Sequence, residues 1–307
     1  ERNQLGTVVI KNNPQGRSSV SGFQVSHEYA LFYSRTPKAK IGRLPRTQEQ
    51  IDRYKESDSS GPFEWRNFRA QYSTESPKMK YPIFVKKDCS GFRIPKLKWN
   101  SENQSYDLLE KPNKLEQISL PIDPSGRERT WKWSIETVES VKDTEMGVRL
   151  DKDKNPSVYY KGRMKDEWML PYTIWDKSDY SASSMGANLL ISLIGEKKFD
   201  YPKSLYAVMD TILVASEHRE ATVLDFFAGS GTTGHAVLEL NKQDNGNRRF
   251  ILCTNNENRI AEEVTYERLK RVIRGYKNKK EESIEGLGGN LKYLKTDFIP
   301  KDIQGLI

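Results

Sequence analysis

The sequence predicts an α/β fold interrupted by an irregular α+β insert, and three observations lead to that reading. Past Trp175, apolar runs of strand length and helix length alternate, which implies a parallel sheet with right-handed crossovers. A glycine-rich turn, AGSGTTG (228–234), stands between one such strand and one such helix. From about Lys38 to Leu170, charges, scattered aromatics and prolines replace the alternation and suggest a separate small core.

The elements follow in order. GTVVIKN (Gly6–Asn12) and EYALFYS (Glu28–Ser34) read as strands, because β-branched and aromatic residues flank a Pro/Gly/Ser-rich connection. Two strands cannot bury their faces alone, so they need partners elsewhere in the chain. In the insert, TQEQIDRYKES (Thr47–Ser57) predicts a helix capped by Thr47, with Gln50 three residues on. YPIFV (Tyr81–Val85) and SVYYKGR (Ser157–Arg163) read as short strands. ANLLISLIG (Ala187–Gly195) predicts an apolar helix stopped by its glycine, and Ser204–Glu217 another with apolar positions at helical spacing. Strand ATVLDFF (221–227), helix GTTGHAVLELNK (231–242), strand RRFILCT (248–254) and a helix from Arg259 to its stop at Gly275 complete the alternation. GGNLKYLKTDFIP (288–300) predicts one more strand after a glycine turn.

Composition narrows the classes of function. With 50 Lys+Arg against 42 Asp+Glu, the formal net charge of +8 suits a polyanionic partner. Cys89 and Cys253 stand far apart, and His27, His218 and His235 are the only histidines, so neither a zinc site nor a disulfide framework is expected. No apolar run approaches the roughly 20 residues that a membrane helix requires. A reducing cytoplasm fits this cysteine usage.

The glycine turn poses the sharper question. Gly229, Gly231 and Gly234 match the dinucleotide pattern Gly-x-Gly-x-x-Gly between a strand and a helix. Three details oppose that ligand. Asp225 precedes the turn, where a carboxylate repels a pyrophosphate and attracts a cation. The acid expected about 20 residues later is missing, since FILC runs into Thr254, Asn255 and Asn256 before Glu257. The motif also lies late in the sequence, leaving little chain for a second half of a dinucleotide sheet. A phosphate-binding P-loop is excluded because no Gly-Lys-Ser/Thr follows. S-adenosylmethionine carries an ammonium, a sulfonium and an adenosine but no phosphate, and so meets these constraints better. A dinucleotide-dependent oxidoreductase remains the alternative.

DFFAGSGTTGHAVLEL (225–240) resembles the cofactor motif of permuted β-class amino-DNA methyltransferases, and FDYPKSLYAVMDTIL (199–213) resembles their motif ten. SHEYALFYS (26–34), YPIFV, TIWDKSDYSASSMGANLL (173–190) and GGNLKYLKTDFIP are most similar to modification subunits of type III restriction-modification systems. The resemblance implies a Rossmann-like S-adenosylmethionine-dependent methyltransferase sheet, incomplete here, with an inserted α+β target-recognition domain. Residues 1–38 would supply the last strands of the catalytic half, 39–170 the recognition domain, and 171–307 the cofactor half with a C-terminal strand. The cofactor residues would be Asp225, Phe226, Phe227, Ala228, Gly229, Ser230, Gly231, Thr232 and Thr233. Pro202, Lys203 and Ser204 would lie at its methionine end, and Thr254 and Asn255 beyond the second strand. Arg66, Arg69, Arg93, Lys96 and Lys98 become the expected DNA contacts, with Trp65, Phe68, Trp131 and Trp133 in the core. The implied activity is site-specific methyl transfer to a flipped base in double-stranded DNA, with adenine N6 favoured over cytosine N4. The implied partners are a restriction (nuclease/helicase) subunit and a second copy of the chain. A non-catalytic DNA-binding specificity module is a further alternative.

The sequence departs from the family at two points. Amino-methyltransferases need Asp/Asn/Ser-Pro-Pro-Tyr/Phe, whose polar groups orient the target amine and whose aromatic ring stacks on the flipped base. None of the 14 prolines here are adjacent, and NNPQG (Asn12–Gly16) reads as a turn. The expectation is that the motif precedes the first residue, that no catalytic residue lies in this chain, and that the chain alone is inactive. The second departure is Thr254, which stands where the family places a ribose-binding acid; Asn255, Asn256 or Glu257 are the substitutes. His27 and His235 read as structural, Ser204 doubles as a helix cap, and Asp297 has no assignable role.

Overall fold

Val8, Ile10, Phe32 and Trp175 converge on one buried sheet face. The computed structural model that places them describes residues 3–16, 21–70 and 76–296. The chain divides into two units, one of Glu1–Pro45 with Trp168–Ile307 and the other of Arg46–Glu167. In the first, β1 (Gln4–Ile10) pairs antiparallel with β2 (Glu28–Tyr33) and parallel with β3 (Ile174–Trp175). β3 is thus the partner that two strands alone lacked. Alternation does the sorting: Tyr29, Leu31, Tyr33 and Ile174 face outward and are exposed. Leu44–Pro45 pairs with Trp168–Met169 where the chain leaves this unit and returns to it.

The α/β portion begins with α1 (Leu189–Ile194), which follows a π-helical turn and ends at Gly195 with φ 92°, a left-handed cap that glycine adopts without strain. In α2 (Leu205–Ala215) the Ser204 hydroxyl accepts from the Ala207 amide, as an N-cap should. β4 (Thr222–Asp225) and β5 (Arg249–Leu252) run parallel, with Val223 opposite Phe250 and Leu224 opposite Ile251. α3 (Thr232–Asp244) connects them, and α4 (Glu267–Arg274) follows a second π-helical turn, Ile260–Tyr266.

Two apolar clusters hold these helices. Leu190, Leu193 and Ile194 pack with Leu238, Val264, Leu269 and Val272, while Leu205, Met209 and Ile212 pack with Ala236, Val237 and Leu240. Each of these Leu, Ile, Val and Met side chains contributes about 1.5–3 kcal/mol by burial. Gly234 permits the approach of α3 to α4, since a Cβ there would lie 2.8 Å from Leu269 Cδ2.

The last expected strand is corrected in part. Residues 288–296 form no strand, because Gly288 and Gly289 have φ of 76° and 101° and turn the chain out of extended geometry. Leu291 anchors the segment to the core, and Asp297–Pro300 lie outside the described residues. A short hairpin, Gly275–Lys277 with Ser283–Glu285, lies just upstream.

The second unit is antiparallel. One sheet orders Met146–Leu150, Pro156–Arg163, Gly61–Asn67 and Glu56–Asp58; another orders Glu116–Ser119, Ile83–Lys86 and Phe92–Arg93. Phe68, Tyr81, Ile83, Val85, Trp131, Val138 and Val158 form its core, and Phe68 stacks on Trp131 with centroids 5.3 Å apart. The Thr47 capping box is present, but the helix stops at Asp52 because Glu56–Asp58 is drawn into pairing with Gly61–Phe63. The helix Ile135–Glu145 carries one fully buried apolar residue, Val138, and so left little periodicity to read. Trp133 packs against the core, whereas Trp65 lies outside it and donates to Glu56 at 2.9 Å.

Candidate functional site: the glycine turn between β4 and α3

The turn hangs from the carboxyl end of the parallel pair. Cys253 donates its amide to the Asp225 carbonyl at 2.8 Å, and Ala228 donates to the Cys253 carbonyl at 3.0 Å, fastening the turn to the end of β5. Gly229 and Gly231 then adopt φ of 51° and 76°. A Cβ at Gly229 would lie 3.2 Å from Phe199 Cζ, and one at Gly231 would lie 3.1 Å from Thr265 Cγ2. Both positions therefore need glycine for conformation and for space.

Asp225 is bonded into this loop: Oδ1 accepts the Phe227 amide at 3.0 Å and Oδ2 the Thr233 hydroxyl at 2.6 Å. Each oxygen keeps a further lone pair, so the carboxylate can still accept a ligand's donor. The Phe226 ring is exposed and that of Phe227 is 92% exposed, which leaves two aromatic faces beside the carboxylate. Ala228 is buried.

The hydroxyls of Ser230 and Thr232 point inward, 3.1 Å from each other, and only their backbones remain for a ligand. Beneath them lies Arg268 of α4, fully buried. Its Nη1 donates to Thr232 Oγ1 at 2.8 Å and to Ser230 Oγ at 3.2 Å, and its Nη2 meets His235 Nδ1 at 3.2 Å. Burial pushes the Arg268 guanidinium down to about 9, so it is still a cation at neutral pH. An arginine only donates, so His235 Nδ1 accepts and its proton sits on Nε2, facing Glu239 Oε1 at 3.4 Å. Burial holds His235 below its ordinary value; the hydrogen bond it donates to Glu239 opposes that shift, and the Arg268 charge adds to it. Thr265, three residues before Arg268, donates to the Gly229 carbonyl at 2.6 Å. These two residues escaped sequence reasoning; the available signal was a polar pair at helical spacing within the apolar face of Ala261, Val264, Leu269 and Val272.

The other expected cofactor residues are distributed around the first unit. Pro202 is buried, and its carbonyl lies so near Gly186 that a Cβ there would stand 2.4 Å away. The Ser204 hydroxyl is committed twice, donating to the Asp179 carbonyl at 2.6 Å and capping α2. Lys203 is exposed and ion-paired with Glu28 at the start of β2. Beyond β5, Asn255 donates to Glu257 at 3.4 Å, and Asn256 accepts the Ala261 amide at 3.2 Å. Thr254 is half-buried. His27 is a hydrogen-bonder, 3.0 Å from the Tyr29 hydroxyl.

In the second unit, the five expected DNA contacts fall into two groups. Arg66 is paired with Glu64 at 2.6 Å, Arg69 is bonded to Asn67 and the Ile122 carbonyl, and Arg93 is clamped between Glu116 and Glu110, each at 2.7 Å. All three arginines are thus bonded within the unit itself. Lys96 and Lys98 are exposed, and their ammonium groups have no ion pair among the described residues.

Among the described residues, no cluster of His, Cys, Asp or Glu is placed to hold a metal ion, and no helix is long and apolar enough to cross a membrane.

Comparison with known proteins gives this geometry a context. A family model described as DNA methylase matches residues 2–266. The type II methyltransferase M.KpnI of Klebsiella pneumoniae is 28% identical over 270 residues, which cover 87% of this chain and 59% of that protein. The Mod subunit of the type III restriction-modification enzyme EcoPI, from Escherichia phage P1, is 28% identical over 80% of this chain and 37% of its own length. The Mod subunit of the type III enzyme StyLTI, from Salmonella typhimurium, is 27% identical over 87% of this chain and 36% of its own. The chain thus spans from about a third to three fifths of the relatives it matches. A match that reaches from β1 into the π-helical turn before α4, and takes in the glycine turn, shows that this chain belongs to the DNA methylase family.

Proposed function

We propose that the chain supplies the cofactor-binding and DNA-recognising parts of a site-specific DNA methyltransferase that uses S-adenosylmethionine. The observation that carries this reading is the turn itself: in a DNA methylase chain, two left-handed glycines and a carboxylate stand at the end of a parallel strand. When bound, S-adenosylmethionine supplies an electrophilic methyl group on sulfur. Asp225 takes its ammonium through the free lone pairs, Gly229 and Gly231 let it lie against backbone, and Phe226 or Phe227 offers a ring to the adenine. Lys203 and Pro202 border the methionine end, and Thr254 and Asn255 the ribose.

The Arg46–Glu167 unit is the DNA-recognising part, with Lys96 and Lys98 among the exposed cations that have no ion pair within the described residues. Adenine N6 is the favoured target, on the similarity to type III modification subunits. A restriction subunit and a second copy of the chain are the proposed partners, in the cytoplasm.

No two prolines are adjacent in the sequence, so the Asp/Asn/Ser-Pro-Pro-Tyr/Phe motif that orients a target amine is absent from these 307 residues. That absence supports the reading that the chain alone binds without transferring a methyl group. Calorimetric titration with S-adenosylmethionine and with NAD tests the ligand. Binding of the first but not the second is expected, and the reverse overturns the reading. Incorporation of labelled methyl into duplex DNA by this chain alone would overturn the division of labour.

A further inference from the structure

Arg268 is the most heavily desolvated charge in the described structure, and its surroundings are unusual for one. Its side chain is wholly buried, no carboxylate lies within ion-pairing distance of it among the described residues, and its Nε has no partner. Glu239 reaches it only through the neutral ring of His235. A buried guanidinium without a counter-ion is costly, so its presence calls for a role at the place its donors point. They point at Ser230 and Thr232, the two residues that flank Gly231.

We propose that Arg268 is the positioning residue of the glycine turn: from below, it fixes the backbone of Gly229–Thr232 in the left-handed course that a ligand meets from above. This rests on the reading of the turn as the S-adenosylmethionine site. The turn needs such a device, because glycines at 229 and 231 hold φ of 51° and 76° with no side chain of their own to enforce it. The planar fork spans the Ser230 carbonyl, both hydroxyls and the imidazole at once. A lysine, with one nitrogen, cannot reach all four. Thr265 completes the grip by holding the Gly229 carbonyl, so that two side chains one helical turn apart clamp successive peptide groups.

The test compares Arg268→Lys with the unsubstituted chain by amide hydrogen exchange and by titration with S-adenosylmethionine. Exchange at residues 229–233 should accelerate at least tenfold while α2 keeps its protection, and affinity should fall tenfold or more. Unchanged exchange at the turn overturns the proposal. So does an equal rise in α2, which is the signature of a merely structural role. Should Arg268→Lys fail to fold, Thr232→Val removes one recipient of the fork and must itself accelerate exchange at 229–231; protection as in the unsubstituted chain overturns the proposal. If the unsubstituted chain binds no S-adenosylmethionine, the cofactor reading falls, and the exchange comparison still decides whether Arg268 orders the turn.

Discussion

Thr233 donates its hydroxyl to Asp225 Oδ2 at 2.6 Å, a bond that joins the end of β4 to the first turn of α3 across the glycine turn. The same carboxylate accepts the Phe227 amide through its other oxygen. Asp225 thus closes the turn and, in the proposed function, also offers its charge to the ligand. Asp225→Asn keeps an acceptor but loses the charge. Affinity for S-adenosylmethionine should fall about tenfold or more, as for loss of a charged hydrogen bond worth roughly 1.5–3 kcal/mol. Calorimetry reads this, and an unchanged dissociation constant would remove Asp225 from the ligand site.

A methyl group at Gly231 should be felt before any ligand is added. With φ at 76° and Thr265 Cγ2 3.1 Å from the new Cβ, Gly231→Ala should lower stability by about 1–2 kcal/mol. Gly6→Ala is the matched control, since nothing lies within 4 Å of its Cβ. Urea unfolding of both separates the two cases; equal midpoints would mean that the turn relaxes freely.

Acid should weaken the fold through His235. Its folded pKa lies below the value near 6.5 of the unfolded chain, so the unfolded state binds the proton first. Stability is therefore complete above about pH 6.5 and declines as pH falls below it, by up to about 1.4 kcal/mol per unit until the folded-state pKa is reached. His235→Gln should flatten that part of the profile of unfolding midpoint against pH. A profile of the same slope in the variant would assign the acid sensitivity to other groups.

Nucleic-acid affinity should divide the basic residues of the Arg46–Glu167 unit by their partners. Lys96→Ala and Lys98→Ala should each weaken duplex binding across all sequences and reduce the salt slope by about 1, leaving the unfolding midpoint in place. Arg93→Ala should lower the midpoint instead, because it strands two carboxylates: Glu110, held below the usual range by the Lys96 amide and then Arg93, and Glu116, held there by Arg93 and then the Asn113 amide. Filter binding over a salt series, with thermal melts of each variant, distinguishes the two behaviours. Identical effects in all three variants would contradict the division.

The parts of the molecule legible in the sequence are those decided by neighbours along the chain. The Gly195 stop, the Ser204 cap and the strand, turn and helix around Gly229 and Gly231 follow from conformational preferences acting over a few residues. The capping box at Thr47 was legible for the same reason. The helix length was not, because a strand pairing set its end. Arg66, Arg69 and Arg93 read as DNA contacts, but their pairing with Glu64, the Ile122 carbonyl, Glu110 and Glu116 was not legible, because those partners lie on other strands or loops or carry no spacing signal. Arg268 was least legible of all: a charged residue reads as surface even beside the apolar face of Val264, Leu269 and Val272, and its burial depends on Ser230, Thr232 and His235, more than thirty residues away.

The Arg46 amide donates to the Glu167 carbonyl at 2.8 Å, and next to it Pro45 pairs with Trp168. The whole excursion from Arg46 to Glu167 therefore leaves and rejoins the chain at one short ladder, Leu44–Pro45 with Trp168–Met169. In polymer terms it is a loop whose ends are already closed, and the entropy of closing a loop grows only with the logarithm of its length. Exchange of this segment for a longer or shorter one, each doubling costing only about 0.6 kcal/mol, leaves the first unit nearly as stable as before. Such an attachment lets one segment diverge in evolution while the glycine turn stays as it is.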